Sequence, residues 1–379
     1  MKIQPVKTAV VGCGVISKDY LNTMTQKFEI LDIVACCDLD EAKAQAAAQK
    51  YGIRALTIEE ILAGEEIELV VNLTTPNAHY PVIKQLLEGD KHVYTEKALT
   101  VELDDAADLV KIAEERNLYL GSAPDTFLGS ALQTARYAVE SGMLGEITSC
   151  YCAMTRDSNI LNRAFPFTAQ PGGGIGFDVG IYYITALLSI LGPVAEVSGV
   201  VRTRNPEKEN YGLENFGEPF QVQCENLMSG ILQFASGTIG NVLFDSNSIF
   251  ILPEKPAVVL HGSLGILYMA DPNQFGGEVK VILKGNNEPV VMQQNHAFSD
   301  EYRGLGVAEM AWSLRMGRKN RANKEMAYHA LDVLHGIVKS SESKTNQVVS
   351  STFEMMPPIP RGYSGQTYFE FMEEASIAL

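Results

Sequence analysis

The chain has 379 residues, is 46% hydrophobic and carries a formal net charge of −16. That length suggests two domains with a sizeable core. The acidic balance argues against nucleic acid or an anionic membrane as a partner. Six cysteines include no Cys-x-x-Cys pair and the six histidines are scattered, so no zinc spacing is present and a reducing cytoplasm is expected. The start, Met1 to Lys7, resembles a signal n-region only briefly. The apolar run behind it is short and leads into Ser17-Lys18-Asp19, which predicts a soluble, unprocessed chain.

The first apolar strand, Thr8-Ala9-Val10-Val11, runs into Gly12-Cys13-Gly14-Val15-Ile16-Ser17 and then a helical pattern. Such a turn aims backbone amides at a phosphate. Gly12 permits the tight turn, Gly14 lets a pyrophosphate approach, and Ser17 is small where helix meets strand. A second strand, Ile33 to Cys37, ends at Asp38, where a carboxylate binds ribose hydroxyls. Asp38 would repel a 2′-phosphate, and Leu39 and Asp40 follow rather than Arg. NAD is therefore expected over NADP. Asp38 also reads as a cap for the next helix.

That helix spans Glu41 to Tyr51 and stops at Gly52. Thr57 to Glu60 has the form of a capping box. Leu69 to Leu73 is a continuous apolar strand, as when both faces are covered. A helix near Tyr80 to Leu87, a strand His92 to Tyr94, a helix near Val101 to Arg116 and a strand Leu118 to Leu120 follow. This alternation predicts a doubly wound, mainly parallel sheet over 1–125. A helix from Thr126 to Ser141 opens the remainder, 126–379. There, period-two strands are expected at Ile147 to Met154, Val197 to Thr203, Phe220 to Asn226, Thr238 to Phe244, Val258 to His261 and Val279 to Leu283. Arg204 to Pro219 reads as a long loop. Helices near Leu305 to Met316 and Lys324 to Ser341 close an α+β domain with a large, mostly antiparallel sheet.

Four places carry candidate chemistry. Thr74-Thr75-Pro76-Asn77-Ala78-His79 follows a buried strand, where ligands of such sheets lie. Its hydroxyls and amides suit the ribose or nicotinamide side of a cofactor, although His79 reads equally as a helix-face residue. Glu96-Lys97 follows the next strand, where a lysine would face the crevice and orient a hydroxyl; a surface charge pair is the plainer reading. Asp178 and Tyr182 are four residues apart beyond Gly172-Gly173-Gly174, so on a helix they share one face. Alone, Asp178 reads as a cap and Tyr182 as a core aromatic. Arg156-Asp157 could bind a sugar hydroxyl, but a solvated pair is the stronger reading.

Together, the turn at Gly12 to Ser17, Asp38, Glu96-Lys97-Ala98 and Asp178 to Tyr182 resemble the Gfo/Idh/MocA family, the relatives of glucose-fructose oxidoreductase and inositol dehydrogenase. The likeness extends through Arg136 to Glu146 and Arg303 to Gly306. It implies a Rossmann domain followed by an α+β domain whose open sheet forms a homodimer or homotetramer. It implies hydride transfer between NAD(P) and a sugar, cyclitol or related diol. Lys97 matches the family's lysine, Asp178 its aspartate, and Tyr182 stands at its usual catalytic histidine. Ala98 replaces the usual proline. The implied cofactor contacts are Gly12, Gly14, Val15, Ile16, Asp38, Thr74, Thr75, Pro76, Asn77, His79, Glu96 and Lys97. The phenol of Tyr182 suits carbonyl reduction as a donor, and as a base it needs the Lys97 charge to lower its pKa. A glycosidase using transient oxidation by held NAD, and a sensor without turnover, are the alternatives on this fold.

Overall fold

A computed structural model describes residues 3–248, 257–269, 271–361 and 363. Fully buried apolar strands need cover on both faces, and the first half of the chain supplies it by alternation. The strands are β1 (Val6–Val11), β2 (Leu31–Cys37), β3 (Arg54–Ala55), β4 (Leu69–Asn72), β5 (His92–Thr95) and β6 (Leu120–Ser122). They pair in parallel in the order β3-β2-β1-β4-β5-β6. The helices between them are α1 (Ser17–Lys27), α2 (Glu41–Tyr51), α3 (Ile58–Ala63), α4 (Pro76–Glu88) and α5 (Leu103–Glu115). The order reverses between β1 and β4, and this switch point is where such sheets take ligands.

The expected capping box closes at the start of α3, where Thr57 and Glu60 each satisfy the other's amide. Two boundaries move. Helix α4 begins at Pro76, because proline fits the first helical position, where no amide is needed. The strand expected at Leu118 to Leu120 lies two residues later.

The helix expected from Thr126 to Ser141 is broken. A 3₁₀ turn at Thr126–Leu128 and an extended Gly129 precede α6 (Ser130–Glu140). A nine-stranded sheet then runs β16-β15-β14-β13-β7-β12-β11-β8-β17. Its strands are β7 (Ile147–Thr155), β8 (Val194–Arg202), β11 (Leu227–Phe234), β12 (Ile239–Asp245), β13 (Val258–Gly262), β14 (Gly265–Met269), β15 (Val279–Leu283), β16 (Val290–Val291) and β17 (Gln347–Val348). All its pairs are antiparallel except β7 with β12. The strand expected at Phe220 to Asn226 is a correction. Only β10 (Pro219–Gln221) is extended there, and it pairs with β9 (Glu207–Glu209) inside the expected loop. Val222 and Cys224 alternate as in a strand because they pack on Ala169 in a small separate cluster. The central strand β11 was hidden by Ser229 and Gly230, and β14 was also unanticipated.

One face of this sheet is covered by α8 (Ile181–Leu191) and α10 (Lys324–Ser343), with Val197, Leu232, Val242, Cys150 and Cys152 buried against them. Helices α9 (Leu305–Met316) and α10 also return to the first sheet, packing on β5, β6 and α5. Asn323 bridges Gly121, and Asp125 Oδ2 accepts the Gly304 and Gly306 amides at 3.0 Å each. The segment after residue 125 is thus bound into both sheets. Part of it, 364–379, lies outside the described residues.

His329 ties α10 to β8. Its Nε2 accepts the Val194 amide at 3.0 Å, and its Nδ1 lies 2.9 Å from Ser351 Oγ, which donates to Asp332. Burial pushes this imidazole down from 6.5 to about 4. The unfolded chain therefore takes up the proton first. Stability present above pH 6.5 is lost as pH falls toward 4. Thermal melts across that window should show a falling midpoint, and His329→Gln should flatten the fall. An unchanged slope in the variant would refute this role.

Candidate active site

The loop after β1 is shaped by its glycines. Gly12 has φ +99°, and a Cβ there would lie 2.7 Å from the Leu73 carbonyl, so no side chain fits. A Cβ on Gly14 would meet nothing within 4 Å, which leaves open space above the turn. Val15 is exposed, Ile16 is half-buried, and α1 begins with no side-chain cap on its amides. Ser17 Oγ donates to the Gly14 carbonyl at 2.7 Å. Asp38, at the end of β2, accepts the Cys13 amide through Oδ2 at 2.7 Å and the Asp40 amide through Oδ1 at 2.8 Å. Asp40, not Asp38, caps α2. Uncapped helix amides, open space and a fixed carboxylate fit a dinucleotide.

Thr75 and Asn77 are exposed at the start of α4, and Pro76 is half-buried at its first position. Thr74 Oγ1 donates to Asn72 at 2.8 Å. His79 departs from its expected cofactor contact. It is fully buried, with Nδ1 2.7 Å from the Ala98 carbonyl and Nε2 3.1 Å from that of Thr74. Its two ring nitrogens face these loop carbonyls.

Glu96 and Lys97 are not a surface pair. Glu96 is buried, accepts the Tyr20 hydroxyl at 2.6 Å, and accepts the Lys97 amide at 3.1 Å. The Lys97–Ala98 peptide is cis. Lys97 Nζ donates to Asp178 Oδ1 at 2.5 Å and to the Asp178 carbonyl at 2.7 Å. Asp178 lies in a π-helical turn, Gly176–Gly180, rather than on an α-helix, and no cap bond is made there. Its other oxygen, Oδ2, accepts Arg156 Nη1 at 2.6 Å. Arg156 is therefore no solvated pair with Asp157, which instead caps α7 (Ser158–Leu161). Tyr182 opens α8 with its ring centroid 5.6 Å from Lys97 Nζ, and its oxygen accepts Arg303 Nη2 at 3.5 Å. The structure thus brings Glu96, Lys97, Asp178 and Tyr182 together beyond the carboxyl end of β5.

Burial opposes charge on Lys97, but Asp178, then Tyr182 and Glu96, outweigh it and raise the ammonium above its ordinary value. Burial likewise opposes the Asp178 charge, and Lys97 and Arg156 still hold that carboxyl below its usual range. Tyr182 differs. Burial raises the phenol, and the Lys97 and Arg303 charges offset only part of that. The lowering expected from Lys97 is real but is outweighed, so Tyr182 rests as a proton donor.

Sequence reasoning missed Arg303 and set Arg156 aside. The signal for Arg156 was its place at the end of β7, one residue past a strand of the second sheet. For Arg303 it was the glycine that follows, which turns the chain into α9.

The fold and site define a two-domain protein with a dinucleotide turn and a lysine–aspartate–tyrosine cluster in its crevice. Residues 6–123 match the family described as "Oxidoreductase family, NAD-binding Rossmann fold", and residues 132–268 match the "GFO/IDH/MocA C-terminal domain". The chain belongs to the Gfo/Idh/MocA oxidoreductase family. It is 28% identical over 205 residues to an uncharacterized oxidoreductase of Schizosaccharomyces pombe, a match covering 53% of this chain and 55% of the relative. The chain thus spans about half the length of that relative. It is 26% identical to dTDP-3,4-didehydro-2,6-dideoxy-alpha-D-glucose 3-reductase of Saccharopolyspora spinosa, over 83% of this chain and 89% of that protein. Its fold superimposes on levoglucosan dehydrogenase in complex with NADH and levoglucosan with a TM-score of 0.78 at 17% identity, covering 92% of this chain and all of the other.

Removing one partner of a buried pair costs roughly 3–5 kcal/mol because a charge is left uncompensated. Asp178→Asn strands two cations, whereas Lys97→Ala leaves Asp178 on Arg156. Urea unfolding should show the larger loss in Asp178→Asn. Equal midpoints would mean the carboxylate does not hold the cluster.

Proposed function

We propose that this protein is an NAD-dependent oxidoreductase acting on a CH–OH or carbonyl carbon of a sugar, cyclitol or related polyol. The observation that carries this reading is the convergence of Lys97, Asp178 and Tyr182 at the end of β5, in a chain whose Gly12 turn fits a dinucleotide. Gly12 to Ile16 would hold the pyrophosphate and Asp38 the ribose. Thr74 to Asn77, with Glu96 and Lys97, would line the nicotinamide end. Bound NAD supplies the hydride acceptor or donor. The protein's own work is proton transfer and positioning. Tyr182 exchanges the proton on the reacting oxygen, Lys97 orients that oxygen, and Asp178 fixes Lys97. The protonated phenol suits the carbonyl-reducing direction.

Asp38 supports NAD over NADP, since its carboxylate is pinned where a 2′-phosphate would add like charge. The relatives' names support the substrate class, one being a sugar-nucleotide reductase and another a dehydrogenase crystallised with an anhydrosugar. All six cysteines are free, which supports a reducing cytoplasm. No helix among the described residues is long and apolar enough to cross a membrane.

The second sheet supports self-association. Val200, Ser229, Leu243 and Ala153 lie in one row across β8, β11, β12 and β7, with Ile231 beside them. Val200, Ile231, Ile239 and Leu243 are exposed on the face that no helix among the described residues covers. We propose that a second copy covers it.

A screen for NADH release across sugars and cyclitols, with NADP in parallel, tests the enzyme reading. NAD should be preferred about tenfold or more, since like-charge contact costs a few kcal/mol. Lys97→Ala should lose turnover while still binding NADH, and retained turnover would sink the assignment. Light scattering tests the sheet. The wild type should be a dimer or tetramer and Leu243→Asp a folded, smaller species. A monomeric wild type would remove that proposal.

A further inference from the structure

Around Lys97 the carboxylates of Asp178 and Glu96 already hold protein donors, while several donors have no acceptor among the described residues. Asp178 has one cation on each oxygen. Glu96 spends one oxygen on Tyr20 and the other on the Lys97 amide. Glu301, at the rim, has both oxygens on Arg303. Asp125 is buried, with its Oδ2 on the Gly304 and Gly306 amides. Glu225 is the carboxyl left over, but burial pushes it up to about 7, and its unpartnered Oε1 is sealed against Gly174, away from solvent.

The donor side is open. Lys97 Nζ carries three N–H groups, of which the protein takes two. Arg156 uses Nη1 on Asp178 and Nε on Ser246 Oγ at 3.4 Å. Its Nη2 edge has no acceptor among the described residues, and the side chain keeps 11% of its surface exposed. Tyr182 receives a hydrogen bond from Arg303 and donates to no acceptor among the described residues. Two cations share the one Asp178 carboxylate, which leaves unspent donors on both of them.

A purely alcoholic ligand brings as many donors as acceptors, and its hydroxyl hydrogens find few acceptors here. A carboxylate brings acceptors alone. A guanidinium edge matches it in a planar, two-point fork that no lysine reproduces. We propose that the substrate is a polyhydroxy acid, a sugar-derived hydroxy or keto acid. Its carboxylate lies on the Nη2 edge of Arg156, and its reacting oxygen lies between Tyr182 and Lys97. This rests on the oxidoreductase reading and narrows its substrate class. In the reducing direction the keto carbon gains hydride from NADH and its oxygen gains the Tyr182 proton. The products are the hydroxy acid and NAD⁺, and solvent returns a proton to the phenolate.

The test pairs each acid with its neutral counterpart: D-gluconate with D-sorbitol, D-glucuronate with D-glucose, D-galacturonate with D-galactose. NADH release is followed for wild type, Arg156→Lys and Arg156→Gln. At low salt kcat/KM should favour the acids by about tenfold or more, the worth of one charge-assisted hydrogen bond. In Arg156→Gln the acid-to-neutral ratio should fall toward one, whatever the absolute rates. Arg156→Lys should keep only part of it, because the fork is lost. Neutral partners that equal the acids in the wild type, or a ratio that survives in Arg156→Gln, would overturn the proposal. Titrating the same pairs against NADH-loaded protein by cofactor fluorescence separates the two claims. Tighter acid binding that depends on Arg156, without turnover, keeps the carboxylate subsite and discards the oxidoreductase reading. Equal binding of acid and neutral partner discards the subsite while NADH release from any sugar keeps the enzyme.

Discussion

Everything in the crevice depends on one carboxylate. Asp178 takes Lys97 from the first domain and Arg156 from the second sheet, at 2.5 and 2.6 Å, with only 8% of its side chain exposed. Two desolvated cations this close would repel each other strongly without it. The bridge also crosses the domains. The lysine leaves the end of β5, the arginine leaves the end of β7, and the π-turn before α8 brings the acid between them. A change in the angle between the sheets would break the bond, so the cluster's geometry and the domain geometry are one constraint.

A second network holds the same crevice from behind. Glu96 reaches back to Tyr20 on α1, and Asp125 gathers the amides that begin α9. Arg303, just before that helix, reaches forward to Tyr182 and to Asn273. Helix α9 is therefore part of the site's scaffold, although it follows all but the last strand of the second sheet in sequence. The wall of the crevice is set by residues nearly two hundred positions apart.

The first domain was readable because each local signal agreed with the next. An apolar strand, a glycine turn, a helix and a second strand closed by an acid come in order, strand and helix then alternate, and the sheet formed as that order requires. The second domain was harder for a physical reason. Val222 and Cys224 alternate as a strand would, but the face they bury is a small pocket beside Ala169 rather than the sheet. In β11 the opposite holds, because Ser229 and Gly230 dilute the apolar signal of a central strand. At the site, Lys97, Asp178 and Tyr182 could be named from the chain, but their mutual contact could not. Arg156 was visible as a residue and invisible as a partner, since its meaning comes from a carboxylate 22 positions away. The raised phenol of Tyr182 could not be read from a four-residue spacing, because burial sets it.

The buried His79 lies between the loop after β4 and the loop after β5. One ring nitrogen reaches the carbonyl of Thr74, after β4, and the other that of Ala98, one residue past the lysine. A neutral imidazole carries a single N–H, so it donates to only one of the two carbonyls, and the ring sets the gap between the loops by its own volume.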